Sequence, residues 1–328
     1  MNELAFLFMV LMGLAVLAYV VLDGYDLGVG MLMPAATEEE QSTMVASIGP
    51  FWDANETWLV LGIGILLAAF PAAHGIVLGS LYLPVVAMLV GLMFRGVAFE
   101  LRVKAEGWHR QLWNWLFWAG SFLASFAQGL MLGLYITGFG PGFAYWIFGF
   151  VVGASLCGGY VLLGATWLIL KTEGDLQKKA VTWARWGLLW VALGVALVSL
   201  ATPLVSETVR LKWFDFPRTL GLMVLPAATV AAGYWLWRSA GRVRGGHGAD
   251  WQPYAAAVTI FTLAFIGLAY SLYPYVVIDR LTIWEAAAHP TALRMLLIGA
   301  VLVLPFIVGY TILSYRIFGG KATKDLYH

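Results

Sequence analysis

The sequence predicts an all-α, polytopic membrane protein of about nine transmembrane helices, and three observations predict it. Of its 328 residues, 61% are hydrophobic and only 11% are charged. The mean hydropathy is +0.83. Apolar runs of helix-spanning length recur from one end of the chain to the other. A bilayer core about 30 Å thick asks for roughly 20 apolar residues per helix, and a chain this apolar suits that solvent rather than water. The net charge of +1 marks no nucleic-acid surface, because in a membrane protein the placement of Lys and Arg matters more than their sum.

Windows of about 20 residues place spans near 4–22, 51–70, 76–99, 112–136, 143–170, 183–205, 216–237, 254–278 and 292–317. Met1-Asn2-Glu3 lacks the positive start of a secretory signal, so the first span is expected to be a retained helix. Phe70-Pro71-Ala72-Ala73-His74-Gly75 and Thr137-Gly138-Phe139-Gly140-Pro141-Gly142 are expected to be tight turns, since Gly and Pro punctuate helices. With no low-complexity linker and no visible repeat, residues 1–328 are taken as one transmembrane domain.

Charge in the breaks sets the orientation. Arg95, Arg102, Lys104 and Arg110 follow the third span; Lys171, Lys178, Lys179 and Arg185 the fifth; Arg238, Arg242 and Arg244 the seventh; Arg316, Lys321 and Lys324 the ninth. The other side carries Arg210, Lys212, Arg218, Arg280 and Arg294. The positive-inside rule then puts the N-terminus outside and the C-terminus in the cytoplasm.

Two acidic clusters acquire a side from that orientation. Asp23-Gly24-Tyr25-Asp26-Leu27-Gly28-Val29-Gly30 closes the first apolar segment, and Trp52-Asp53-Ala54-Asn55-Glu56-Thr57-Trp58 opens the second. Ionisable side chains at membrane depth cost several kcal/mol unless paired or hydrated, and they mark proton, ion or substrate routes. Asp23 and Asp26 stand three apart, as do Asp53 and Glu56, so each pair shares a helix face. With Arg95 and Glu100 from the third span they converge near the cytoplasmic surface. That set suits proton relay, because neighbouring carboxyl groups titrate as a coupled unit. Each also has a plainer explanation: Asp53 and Glu56 suit the positive start of a helix, and Arg95 and Glu100 can reach the interface along their stems. Gly24 and Gly28 allow a neighbouring helix to approach closely. Aromatic belts account for most of the sixteen Trp residues, with Trp52 and Trp58 as candidate contacts for a quinone or a partner subunit.

His74, His109, His247, His289 and His328 fall in breaks, near helix ends or at the terminus. No span offers a mid-helix histidine to a haem iron, so this chain is expected to bind no haem or metal of its own. The single cysteine, Cys157, can build neither an internal disulfide nor a multi-thiolate site and is expected to be a small buried hydrophobe. There is no phosphate-cradling glycine motif followed by Lys and Ser or Thr, which argues against ATP-driven transport.

The run Asp23 to Leu32 followed by Trp52-Asp53-Ala54-Asn55-Glu56-Thr57-Trp58-Leu59 resembles subunit II of the cytochrome bd-type quinol oxidases. Phe94-Arg95-Gly96-Val97-Ala98-Phe99-Glu100 is similar to that family's third-helix end. Tyr273-Pro274-Tyr275-Val276, Leu281-Thr282-Ile283-Trp284-Glu285-Ala286-Ala287, and Tyr310-Thr311 to Phe318-Gly319 resemble its last two helices. Residues 143–250 match by helix count alone.

The resemblance implies a complex in a bacterial or archaeal cytoplasmic membrane that oxidises quinol and reduces dioxygen to water. Haem b and haem d would be carried by a homologous subunit I, the heterodimer partner, with small accessory subunits in some members. Subunit II of the family is haem-free, stabilises its partner and lines a cytoplasm-facing proton path. Carried over by position, Asp53 and Glu100 would line that path, accompanied by Asp26 and Arg95. Glu100 stands where an Asp is common, which keeps the charge but lengthens the reach. Some members hold a structural quinone within subunit II, and Trp52 would be the candidate contact. The residues alone also suit a proton- or ion-coupled secondary transporter, which would use intramembrane carboxylates beside Gly-broken helices, or a purely structural assembly subunit.

Overall fold

The computed structural model describes residues 2–216 and 218–322; Lys324 and His328 lie outside them. The described residues form fourteen α-helices, a short 3-10 turn at Met33–Ala35 and one small hairpin. The helices are α1 (Asn2–Leu32), α2 (Glu38–Ile48), α3 (Trp52–Ala69), α4 (Pro71–Ser80), α5 (Tyr82–Lys104), α6 (Gly107–Ile136) and α7 (Phe143–Lys171). They continue as α8 (Gly174–Val205), α9 (Glu207–Trp213), α10 (Arg218–Leu222), α11 (Val224–Arg244), α12 (Trp251–Leu272), α13 (Ile283–Ala286) and α14 (Pro290–Ile317). Strands β1 (Tyr275–Val277) and β2 (Leu281–Thr282) pair antiparallel between α12 and α13.

Eight helical segments of the described residues are long and apolar enough to cross a membrane. The segment expected at 51–70 is not among them. Its helix, α3, is only 18 residues long, and its first turns carry Asp53, Asn55 and Glu56, which dilute its apolar character.

The spans expected at 112–136 and 183–205 start earlier, at Gly107 and Gly174, and that at 216–237 runs on to Arg244; four other boundaries move for a physical reason. The first helix does not stop at residue 22 but runs through Asp23 and Asp26 to Leu32, because neighbouring helices supply partners for both carboxylates. Phe70 to Gly75 is no turn: Pro71 starts α4, where its missing N–H costs no helical bond, and the chain bends instead at Phe70 and Leu81. The third span accordingly becomes α5, from Tyr82 to Lys104. The helix expected over 254–278 ends at Leu272. Pro274 lacks a donor and pushes Tyr273 out of the helical region, and Asp279, in the left-handed region at φ 58°, closes the hairpin. The Thr137 to Gly142 break is a turn, with Gly138, Phe139 and Gly142 all at positive φ.

The layout is a run of neighbours: α5 packs on α6, α6 on α7 and α7 on α8, while α1 packs on both α3 and α7. Glycine sets the closest approach. A Cβ on Gly28 would lie 1.8 Å from the Tyr160 carbonyl oxygen, and one on Gly164 would lie 2.4 Å from the Gly28 carbonyl carbon. Helices α1 and α7 therefore touch backbone to backbone, the contact that small residues permit in membranes. The largest core gathers Tyr25, Phe51, Phe99, Phe117, Tyr160 and Trp167 where α1, α2, α5, α6 and α7 meet. The outer faces are apolar and open, as at Leu204, which is 85% exposed. The apolar window of α14 buries none of its residues.

Candidate functional site

Asp23 lies about two and a half turns before the end of α1, and Arg95 as far before the end of α5. This matched depth brings them together: Arg95 Nη1 donates to Asp23 Oδ1 at 2.6 Å, with both side chains 0% exposed. Glu56 Oε1, from the second turn of α3, stands 3.6 Å from the same Nη1. The Arg95 guanidinium also lies 5.8 Å from the Trp52 ring centroid.

Asp26 is held by amide rather than by cation. Asn55 Nδ2 donates to Asp26 Oδ2 at 2.8 Å and contacts the Tyr25 hydroxyl at 2.9 Å and the Leu22 carbonyl at 3.2 Å. From α14, the Tyr315 hydroxyl donates to Asn55 Oδ1 at 3.2 Å and meets the Tyr25 hydroxyl at 2.6 Å. Three carboxyl groups, one guanidinium and one amide thus share a pocket built from α1, α3, α5 and α14. Asp23 Oδ2, Asp26 Oδ1, Glu56 Oε1 and Arg95 Nε and Nη2 are buried without a hydrogen-bond partner in the protein. Buried polar atoms are nearly always paired, with protein or with ordered water, so these five atoms form the chemically open edge of the cluster.

A line of hydrogen bonds runs between the helices next to Asp23. Tyr19 lies beside it on the next turn of α1. Gln128 Nε2 of α6 donates to the Tyr19 hydroxyl at 2.7 Å, and the Tyr160 hydroxyl of α7 donates to Gln128 Oε1 at 2.6 Å. Sequence reading missed Tyr19, Gln128, Tyr160 and Tyr315. An amide in the middle of an apolar span is the signal that could have found Gln128.

The candidate residues divide. The fold brings together Asp23, Asp26, Asn55, Glu56 and Arg95, but Asp53 and Glu100 are exposed on the outer sides of α3 and α5. Trp52 is half-buried against Phe99, ring centroids 4.9 Å apart, and Trp58 is half-buried with its Nε1 unpartnered. Gly24 and Gly28 face Tyr160 on α7.

Helix α2, absent from the sequence reading, packs on α1 and α7, with Met44 to Ile48 buried. Thr37 caps it: Thr37 N donates to Glu40 Oε2 at 2.8 Å and Glu40 N to Thr37 Oγ1 at 3.3 Å. Lys179 Nζ donates to Glu40 Oε2 at 2.8 Å. Burial pushes the Glu40 carboxyl up, but the bonds from Lys179 and Thr37 prevail and hold it below the usual glutamate range. Asn114 ties α2 to α5 and α6, accepting from Arg102 Nε at 2.5 Å and donating to Gln41 Oε1 at 2.7 Å.

Among the described residues, no three His, Cys, Asp or Glu side chains converge to hold a metal ion. Cys157 is buried and free.

This arrangement defines a class: a multi-pass helical membrane protein with an ionisable cluster buried between its helices. Comparison with known proteins makes it specific. Residues 4–318 match the family described as cytochrome bd terminal oxidase subunit II, and the chain belongs to that family. It is 31% identical to cytochrome bd ubiquinol oxidase subunit 2 of Bacillus subtilis (strain 168), over 97% of this chain and 96% of that protein. It is 28% identical to cytochrome bd-I ubiquinol oxidase subunit 2 of Escherichia coli (strain K12), over 98% and 96% of the two chains. The fold matches a chain in the structure of bd oxidase from Geobacillus thermodenitrificans with a TM-score of 0.77 at 16% identity, covering 96% of this chain and 98% of that one. Family membership leaves the secondary transporter without support.

A cytochrome bd complex carries haem, and none of the described histidines lies in the middle of a spanning helix. His74 lies in the short α4, His109 in the first turn of α6 and His247 in the loop after α11. His289 caps α14, its Nδ1 accepting from Thr291 N.

Proposed function

We propose that this chain is the haem-free subunit II of a quinol:dioxygen oxidoreductase in a bacterial or archaeal cytoplasmic membrane, and that it lines the proton path from the cytoplasm. The observation that carries the proposal is the convergence of wholly buried Asp23 and Asp26 and half-buried Glu56 in one pocket with a single guanidinium. Carboxyl groups that outnumber their cation away from water bind and release protons as a coupled set. Such a set has little structural use, since an apolar substitute of equal volume stabilises as well.

Haem in subunit I supplies the electron transfer and oxygen reduction, a reaction that consumes protons. The residues of this chain move and hold protons. Exposed Asp53 and Glu100 collect them at the surface where α3 begins and α5 ends. Glu56 passes them inward past Arg95 to Asp23, while Asn55 orients Asp26. The basic residues of the breaks favour a reading with this face in the cytoplasm and the N-terminus outside, in which α3 serves as a ninth, shorter span. Open apolar faces, α14 foremost, fit docking onto subunit I, and Trp52 remains the candidate contact for a structural quinone.

The test is oxygen consumption with quinol by the purified complex carrying Asp53→Asn or Glu100→Gln, alongside its haem spectrum. Proton transfer by a positioned side chain contributes about 10²- to 10⁴-fold, so turnover is expected to fall about tenfold or more with the spectrum unchanged. Normal turnover in both variants would remove the entry role.

A further inference from the structure

A second polar site lies apart from the carboxylate cluster, where α11 ends beside α8. Arg185, Trp237, Arg238, Gly241, Arg242 and His247 line a cavity there of about 480 Å³. Arg185 reaches across from α8, its guanidinium carbon 4.8 Å from the Trp237 ring centroid. Its Nη2 sits where it would meet a Cβ on Gly241 at 2.7 Å, so glycine lets the guanidinium lie flat on α11. The Arg185 Nε is buried with no hydrogen-bond partner. Arg238 and Arg242 are four residues apart on one face of α11 and point toward the same space. Among the described residues, none of the three guanidiniums is paired with a carboxylate. Asp250, at the start of α12, is already held by Lys321 at 2.5 Å.

Three unpaired guanidiniums around one cavity are a cradle for phosphate, whose oxygens accept paired N–H bonds from arginine. The rim says which phosphate. Next to the lining residues in the chain, Tyr234, one turn before Arg238, is 63% exposed, and Trp186 and Leu189, one and four residues after Arg185, are 69% and 52% exposed. Exposed Trp and Tyr next to arginines are the pattern of a helix surface at the headgroup level of a bilayer, and basic pockets between helices at that level bind anionic headgroups. A free phosphate would leave this apolar rim uncovered, whereas acyl chains would lie along it.

We infer that the Arg185–Arg238–Arg242 cavity holds the phosphate of an anionic phospholipid, with the acyl chains against the neighbouring exposed apolar side chains of Leu189 and Tyr234. The complex with its partner subunit is placed in nanodiscs of equal phosphatidylglycerol and phosphatidylcholine. It is then extracted in mild detergent, and retained lipid is counted by native mass spectrometry. The wild type is expected to retain phosphatidylglycerol over phosphatidylcholine. Arg185→Gln is expected to lower that retention about fivefold, and the Arg238→Gln Arg242→Gln pair by about fivefold for each arginine. Arg294→Gln, at the other end of the molecule, is expected to change nothing. The exposed pair leaves helix packing intact and so decides the matter even if Arg185→Gln fails to assemble. Equal retention of the two lipids, undiminished phosphatidylglycerol in the paired variant, or its displacement by inorganic phosphate would each overturn the inference.

Discussion

Replacing Arg95 by glutamine removes the guanidinium that serves both Asp23 and Glu56. Arg95 and Asp23 are wholly buried and meet at 2.6 Å. At an effective dielectric of about 20, unit charges about 4 Å apart attract by about 4 kcal/mol. Withdrawing each ion from water costs several kcal/mol, so the intact pair contributes little net stability. Breaking it is another matter, because a lone buried carboxylate costs about 3–5 kcal/mol. Arg95→Gln is therefore expected to lower both the yield of assembled complex and its thermal unfolding midpoint. The double variant Asp23→Asn Arg95→Gln removes both charges and is expected to recover about 2 kcal/mol or more, with Glu56 at 3.6 Å retaining part of the penalty. Yield is read from the haem absorbance of the purified complex and the midpoint from its melting curve. A single variant with wild-type yield and midpoint, or a double variant no better than the single, would refute the reasoning.

Two further predictions concern the frame. Gly28→Ala places a Cβ 1.8 Å from the Tyr160 carbonyl oxygen, which forces α1 and α7 apart. The overpacking is expected to cost about 1–3 kcal/mol in the same melting assay, whereas Gly64→Ala, with nothing within 4 Å, is expected to cost nothing measurable. The Glu40 carboxyl is held below its usual value by Lys179 and Thr37. A depressed folded value means its stabilisation is present above the unfolded value and lost as pH falls through the folded one. Hydrogen-exchange protection of α2 is thus expected to fall below about pH 4.5 in the wild type and to lose that dependence in Glu40→Gln; identical profiles would contradict it.

The helical class, most spans and the residues of the cluster were legible in the sequence because length and hydropathy act locally. The end of α1 was not. A hydropathy window stops at Asp23, but the helix continues, since the partner that makes Asp23 tolerable is Arg95, 72 residues away in the chain. Helix α2 was missed for the opposite reason: Glu38, Glu39 and Glu40 dilute its apolar half. Its capping pair, Thr37 with Glu40, was nonetheless a readable start signal. Pro274 similarly announced the end of α12. What the sequence could not supply was the division of the carboxylates. Asp53 and Glu56 share a helix face by spacing, yet only Glu56 reaches Arg95, because α3 meets α1 through the side that carries Asn55.

The most direct test of the proton-path account is quinol-driven oxygen consumption by the purified complex carrying Asp26→Asn and Glu56→Gln together. Arg95 and Asp23 stay paired in that variant, and assembly is monitored by the haem spectrum. The account predicts turnover reduced about tenfold or more with a normal spectrum. Full turnover with the same normal spectrum would contradict it and leave this chain a structural subunit.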